Sequence, residues 1–142
     1  MTGSTWLYAV APIFTWCAAG GCKFLVNSWR MGGLAIDRIG MGGAPSTHTS
    51  IVTATLVLVW LLEGAFTPTA LVALTLAWIV VIDATDLRRK VGQHAGHLQR
   101  LFPNDPECQK LRLSIGHTIP EIGAGIAVGT VCGFFLYALS RI

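Results

Sequence analysis

The strongest constraint in this chain is the distribution of its charges. Long stretches carry none, and the charged residues gather in 23–38 and 83–112. Only 12% of residues are charged, whereas a soluble domain carries about 25%. Four uncharged or nearly uncharged runs result: residues 5–26, 49–62, 66–82 and 122–140. They are hydrophobic all round, without the one-sided periodicity of a soluble amphipathic helix. A membrane span needs about 20 such residues. The sequence therefore predicts an all-α, polytopic membrane helix bundle of about four transmembrane helices. The second run is short and needs residues added at its start. The connection EGAF, 63–66, is tight enough to make the second and third runs a helical hairpin.

The polar stretches predict the rest of the architecture. Residues 83–102 form an amphipathic pattern, with Leu87, Val91, His94 or Ala95, Leu98, and Leu101 or Phe102 at spacings of three and four. This predicts an interfacial helix whose basic residues face anionic membrane lipids. PNDPE, 103–107, reads as a turn. The whole chain, 1–142, reads as one domain, with no linker or repeat. Arg30 and Arg38 mark one long loop, and Arg88, Arg89, Lys90, Arg100, Lys110 and Arg112 the other. The 63–66 connection holds only Glu63. The positive-inside rule then puts both long loops in the cytoplasm and both termini opposite. No basic residue precedes the first apolar run, so it reads as a retained helix rather than a signal peptide. Cys17, Cys22, Cys108 and Cys132 form no CxxC pair and no zinc-site spacing, which predicts structural thiols.

Glycine recurs every fourth residue at Gly125, Gly129 and Gly133. Such a ridge lets a second helix approach closely. It fits either a homodimer seam or packing within one chain.

Two histidines stand where polar loops meet apolar runs, a costly place for a titratable group. His48 lies in GGAPSTHTS. Pro45 there suits a first helical turn, and the Gly42–Gly43 turn, Ser46 and Thr47 add up to an anion site at a helix start. A histidine so placed is able to protonate a phosphate-ester oxygen; a solvated histidine beside a plain helix cap explains the same residues. His117 lies in IGHTIPEIGAG. Thr118 and Glu121 fit the capping box T-x-x-E, with Pro120 just inside the helix. Glu121 has a second use, accepting a hydrogen bond from one nitrogen of His117. That orients the ring and leaves the other nitrogen to attack phosphorus. One carboxylate has two oxygens, enough for both tasks. Lys23, Arg88, Arg89 and Arg112 follow the same topology to the same face. Two histidines, a carboxylate and several cations are the parts of metal-free phosphoryl transfer. No Asp/Glu cluster suggests a magnesium site, and no cofactor is implied. His94 and His97 alone rarely define a metal site, and read as polar-face residues.

GGAPSTH (42–48), DATDLRRKVGQHA (83–95) and GHTIPEIGAGIAVG (116–129) together resemble the three signature blocks of the divergent type-2 phosphatidic acid phosphatase family, also called acid phosphatase/vanadium-dependent haloperoxidase-related. The order and spacing match over nearly the whole chain. The resemblance implies a small helical membrane protein that dephosphorylates through a phosphohistidine without metal. By motif, His117 resembles the nucleophile and Glu121 takes the place of the orienting acid. His48 resembles the general acid of the P-S-x-H block, with Ser46 contributing to phosphate binding. Lys23 resembles the phosphate-binding lysine of the first motif. The larger superfamily has an arginine six residues before its nucleophile, where this chain has Leu111, and Arg112 is one residue off. The phosphate-binding arginine is then Arg112, Arg88 or Arg89. The middle block also departs at Asp86, where a glycine is usual, and at Gln93–His94, where a lysine is lost.

These readings imply an enzyme of the bacterial inner membrane, its site facing the cytoplasm. Its substrate would be a lipid-linked phosphomonoester or diphosphate, with membrane lipids rather than nucleic acid as surroundings. The alternative is a non-catalytic membrane protein that binds or moves a phospholipid or polyprenyl phosphate.

Overall fold

The structure, a computed structural model, describes residues 5–34 and 43–142. Arg38 and Gly42, which entered the loop-charge and glycine-turn readings, lie outside the described residues. All regular structure among the described residues is helical: α1 (Thr5–Met31), α2 (Thr47–Glu63), α3 (Pro68–Ile82), α4 (Arg88–Leu101), α5 (Pro106–Gln109) and α6 (Ile119–Leu139). A wider turn, Asp83–Leu87, with hydrogen bonds spanning five residues, joins α3 to α4. Three helical runs are long and apolar enough to cross a membrane: α1, the continuous run Pro68–Leu101, and α6. The fourth, α2, is apolar but shorter, at 17 residues. These helices fit an integral membrane protein. Their exposed faces carry Trp6, Ile13, Trp16, Val72, Trp78, Val131 and Phe134, which suit lipid and not water.

Each helix starts and ends for local reasons. The α2–α3 hairpin turns at Gly64, whose φ of 100° departs from the helix, and restarts at Thr67. The Thr67 hydroxyl accepts the Ala70 N–H at 3.3 Å, and Pro68 occupies the first helical position. Thr118 and Glu121 do form the capping box of α6, with the Thr118 N–H donating to Glu121 Oε2 at 2.9 Å.

Three expectations are corrected. The third span and the interfacial helix are one run of 34 residues, about 50 Å long. Charge begins at Asp83, but charge does not stop a helix, and no proline intervenes. Within that run, α4 packs its small face, Gly92 and Ala95, while Leu87, Val91, Leu98 and Leu101 stay exposed. The PNDPE turn holds the start of a helical turn, α5, capped by Asp105, whose carboxylate accepts the Glu107 N–H at 2.9 Å.

The core is built around α2. Leu7, Ala11, Leu58 and Leu136 cluster where α1, α2 and α6 meet, and Phe14 stacks on Phe135 at 5.5 Å. Val52 and Leu56 of α2 pack on Ala77 of α3, flanked by Ala73 and Val80. Of the other long helices, α1 and α6 also touch each other, whereas α3 leans essentially on α2 alone. The closest seam joins α2 to α6. A Cβ placed on Gly125 would lie 2.7 Å from the Ser46 carbonyl oxygen, and one on Gly133 would lie 2.8 Å from Val57 Cγ1. On Gly129 it would strike the Ser50 carbonyl and Thr53. The glycine ridge is therefore filled by the chain's own α2. This is the intrachain alternative; a homodimer seam at Gly125, Gly129 and Gly133 would have to form on a face that α2 already covers.

Candidate functional site

The up-and-down order of the helices brings the ends of α1 and α3 and the starts of α2 and α6 to one end of the bundle. Backbone bonds lock these ends together. The Ser46 N–H donates to the Glu121 carbonyl at 3.0 Å, joining the starts of α2 and α6. The His117 N–H donates to the Ala84 carbonyl at 3.1 Å, joining the start of α6 to the five-residue turn. Gly116 makes that junction. Its φ is +99°, and a Cβ there would lie 2.9 Å from the Arg89 backbone nitrogen. A side chain would be strained by the backbone and blocked by its neighbour.

His117 is half-buried at this junction. Its Nδ1 lies 3.3 Å from Glu121 Oε2. The orienting contact expected from the sequence is present, but one oxygen serves both tasks, since Oε2 also accepts the Thr118 N–H. With Nδ1–H directed at the carboxylate, Nε2 is the ring's unprotonated nitrogen. Burial lowers the His117 pKa; the Glu121 bond opposes this, and Lys23 and Arg88 add to the lowering. The neutral ring, the form able to attack, is thereby favoured.

His48 is in the polar first turn of α2, ahead of the apolar run that begins at Ile51, and is the more open of the two rings. Its pKa is also lowered, first by partial burial and then by Arg88, His117 and Lys23, against a smaller opposing pull from Asp83. These mutual effects mark the group that the fold assembles: Lys23, His48, Asp83, Arg88, His117 and Glu121.

Lys23 arrives by helical spacing. Leu7, Ala11, Thr15 and Ala19 are the buried stripe of α1, and Lys23 is the next position along it. Asn27 follows one turn later, and its Oδ1 would stand 3.3 Å from a Cβ on Gly43. Sequence motifs did not point to Asn27; the four-residue stripe does. Asp83 was also missed, although its five-residue spacing to Arg88 marks it once the turn is known.

Other expected residues are placed differently. Ser46 is completely buried. Its hydroxyl pairs with Thr49 Oγ1 at 2.9 Å and caps no α2 N–H, so it lies beneath the site. Pro45 precedes this cap instead of entering the first helical turn. Thr47 opens α2 with backbone N–H groups that no side chain caps, and Gly43 sits against Asn27. Arg88 is the arginine whose charge reaches both rings. Arg89 and Arg112 have exposed side chains, and neither is among the groups acting on the two rings. Arg89 contributes its backbone, beneath Gly116. His94 and His97 lie exposed on α4, away from this group; His97 borders a shallow pocket with Arg100 and Leu113. Among the described residues no three His, Cys, Asp or Glu side chains cluster as a metal site would require.

Two imidazoles, one of them held by a carboxylate, feel the charge of Lys23 and Arg88, and one of them lies in the first turn of α2, whose N–H groups no side chain caps. Such an assembly suits an anion that is to accept a nucleophile and a proton. A profile of the Divergent PAP2 family matches residues 6–132, covering every one of these groups. Comparison with curated proteins and with solved structures gave no match. With the match running from α1 into α6, the chain belongs to the Divergent PAP2 family.

Proposed function

We propose that this protein is a membrane phosphatase that removes phosphate from a lipid-linked phosphomonoester or diphosphate. The observation that carries this is the oriented His117, whose Nδ1 is 3.3 Å from Glu121 Oε2, in a group shared with His48, Lys23 and Arg88. In the first step His117 Nε2 attacks phosphorus. The bond from phosphorus to the lipid oxygen breaks, and His48 gives that oxygen its proton. Lys23, Arg88 and the free N–H groups of α2 offset the charge on the remaining oxygens. In the second step water attacks the phosphohistidine, His48 takes the water's proton, and phosphate leaves neutral His117 behind. Glu121 stabilises the His117 ring while it carries positive charge. The chemistry asks for no cofactor.

Three helices long and apolar enough to cross a membrane, with the shorter α2 among them, support a site at a bilayer surface, where the phosphate of a lipid resides while its tail stays among the helices. The basic loops around it favour the cytoplasmic face, in the bacterial inner membrane. The displaced superfamily arginine, with Leu111 in its place, favours a second reading, a protein that binds or moves such a lipid without hydrolysis. The two differ in one measurement: phosphate release from a panel of lipid phosphates by detergent-purified protein in EDTA. Release by the wild type, and its loss in His117→Ala with the fold intact, is the expected result. Equal release by the His117→Ala protein removes His117 as nucleophile, and release from no lipid favours the binder.

A further inference from the structure

We propose that Asp83 is the positioning residue that fixes Arg88 for phosphate, and that the five-residue turn exists to bring the two side chains together. The inference rests on reading this group as a phosphate site.

In an α-helix, residues five apart point about 140° from each other, so a carboxylate and a guanidinium at that spacing diverge. In a turn with five-residue hydrogen bonds they fall on one side. Asp83 and Arg88 are such a pair, and they are joined twice. The Arg88 N–H donates to the Asp83 carbonyl, and Arg88 Nε donates to Asp83 Oδ2. Turns of this kind are rare inside helices and concentrate at functional sites.

Engagement of Nε matters for what remains. A guanidinium has five N–H donors in a rigid fork. With Nε held by Asp83, the terminal amino groups remain for another acceptor, and their spacing matches two phosphate oxygens. The charge of that edge acts on both His48 and His117. The next residue of the same turn, Ala84, accepts the His117 N–H. One turn therefore sets both the guanidinium and the nucleophile.

The pair also differs from ordinary surface ion pairs on this chain. Lys90–Asp86, at the usual four-residue spacing, has side chains 61% and 59% exposed. The Arg88 and Asp83 side chains are 39% and 28% exposed. A pair formed only to solvate the helix would have no need of the wider turn.

The test is the affinity for dodecyl phosphate, measured by calorimetry on detergent-solubilised His117→Ala protein, where turnover does not interfere. Arg88→Ala is expected to weaken binding about tenfold or more, as loss of a charged hydrogen-bond donor does. Asp83→Asn is expected to weaken it comparably, Asp83→Glu to recover part of the loss, and Asp83→Asn added to Arg88→Ala to cost nothing further. Size-exclusion profiles and helical circular dichroism matching the parent would show that each variant is folded. Two outcomes overturn the proposal with the phosphate site intact: unchanged affinity in Asp83→Asn, or the same loss with and without Arg88. Wild-type protein that releases no phosphate while the binding pattern holds would overturn the enzyme alone. Absence of binding by the parent overturns both.

Discussion

At the scale of single residues, the proposed mechanism asks the two histidines to hold different protons at once: His117 neutral to attack, His48 protonated to donate. Both pKa values lie below the ordinary 6.5, mainly through burial, with neighbouring cations adding to the effect. A lowered histidine pKa means that the protonated form is lost at lower pH than usual. The His48 proton is therefore available mostly below pH 6.5. The expected profile of kcat/KM rises as His117 loses its proton, peaks on the acid side of 6.5 and falls as His48 loses its own. An optimum at or above neutral pH would contradict His48 as the acid of the free enzyme. In His48→Ala the descending limb should vanish and kcat fall by about 10²- to 10⁴-fold, the usual worth of a positioned acid. Lys23, His48, His117 and Glu121 were legible in the sequence because their chemistry is particular and their blocks are compact. The choice of Arg88 over Arg89 was not, since it depends on a turn that widens by one residue. Ser46 lies deeper than the sequence suggested. A hydroxyl beside a histidine suggests a ligand, yet this one is fully buried and pairs with Thr49, less than one helical turn on.

Between elements, the α2–α6 seam is where sequence and structure agree most once both strands of the pattern are seen. Gly125, Gly129 and Gly133 are spaced by four, and so are Ser46, Ser50 and Ala54, the small residues of α2 that they meet. One ridge alone left dimer and intrachain packing open; two ridges in register favour the latter. Gly129→Val should then drive the helices apart, at a cost of about 1–3 kcal/mol, as overpacking typically carries. The expected readout is a lower thermal unfolding midpoint in detergent with an unchanged oligomeric state. A dissociated oligomer with the same midpoint would instead support the dimer seam. The fusion of α3 with α4 was less legible, because the onset of charge at Asp83 marks where lipid ends and says nothing about where hydrogen bonding ends.

Over the whole molecule, the four apolar runs fixed the class of fold, and loop charge gave it an orientation. That orientation is tested at Cys108, a residue of α5 in the connection between α4 and α6. In a variant with Cys108 as its only cysteine, a membrane-impermeant maleimide should label inverted inner-membrane vesicles and leave intact spheroplasts unlabelled; the opposite pattern would reverse the topology. The central place of α2 has a further consequence, for biogenesis. It emerges from the ribosome second, and its best partner, α6, emerges last. Until then Ser46, Thr49, Ser50 and Thr53 have no glycine ridge to lie against, and His117 has not been delivered to Ala84. A nascent chain halted before Gly116 would hold its hydroxyls towards lipid and lack His117. Maturation is thus gated by α6, and no chain that has yet to make it holds Lys23, His48, Arg88, His117 and Glu121 as one group.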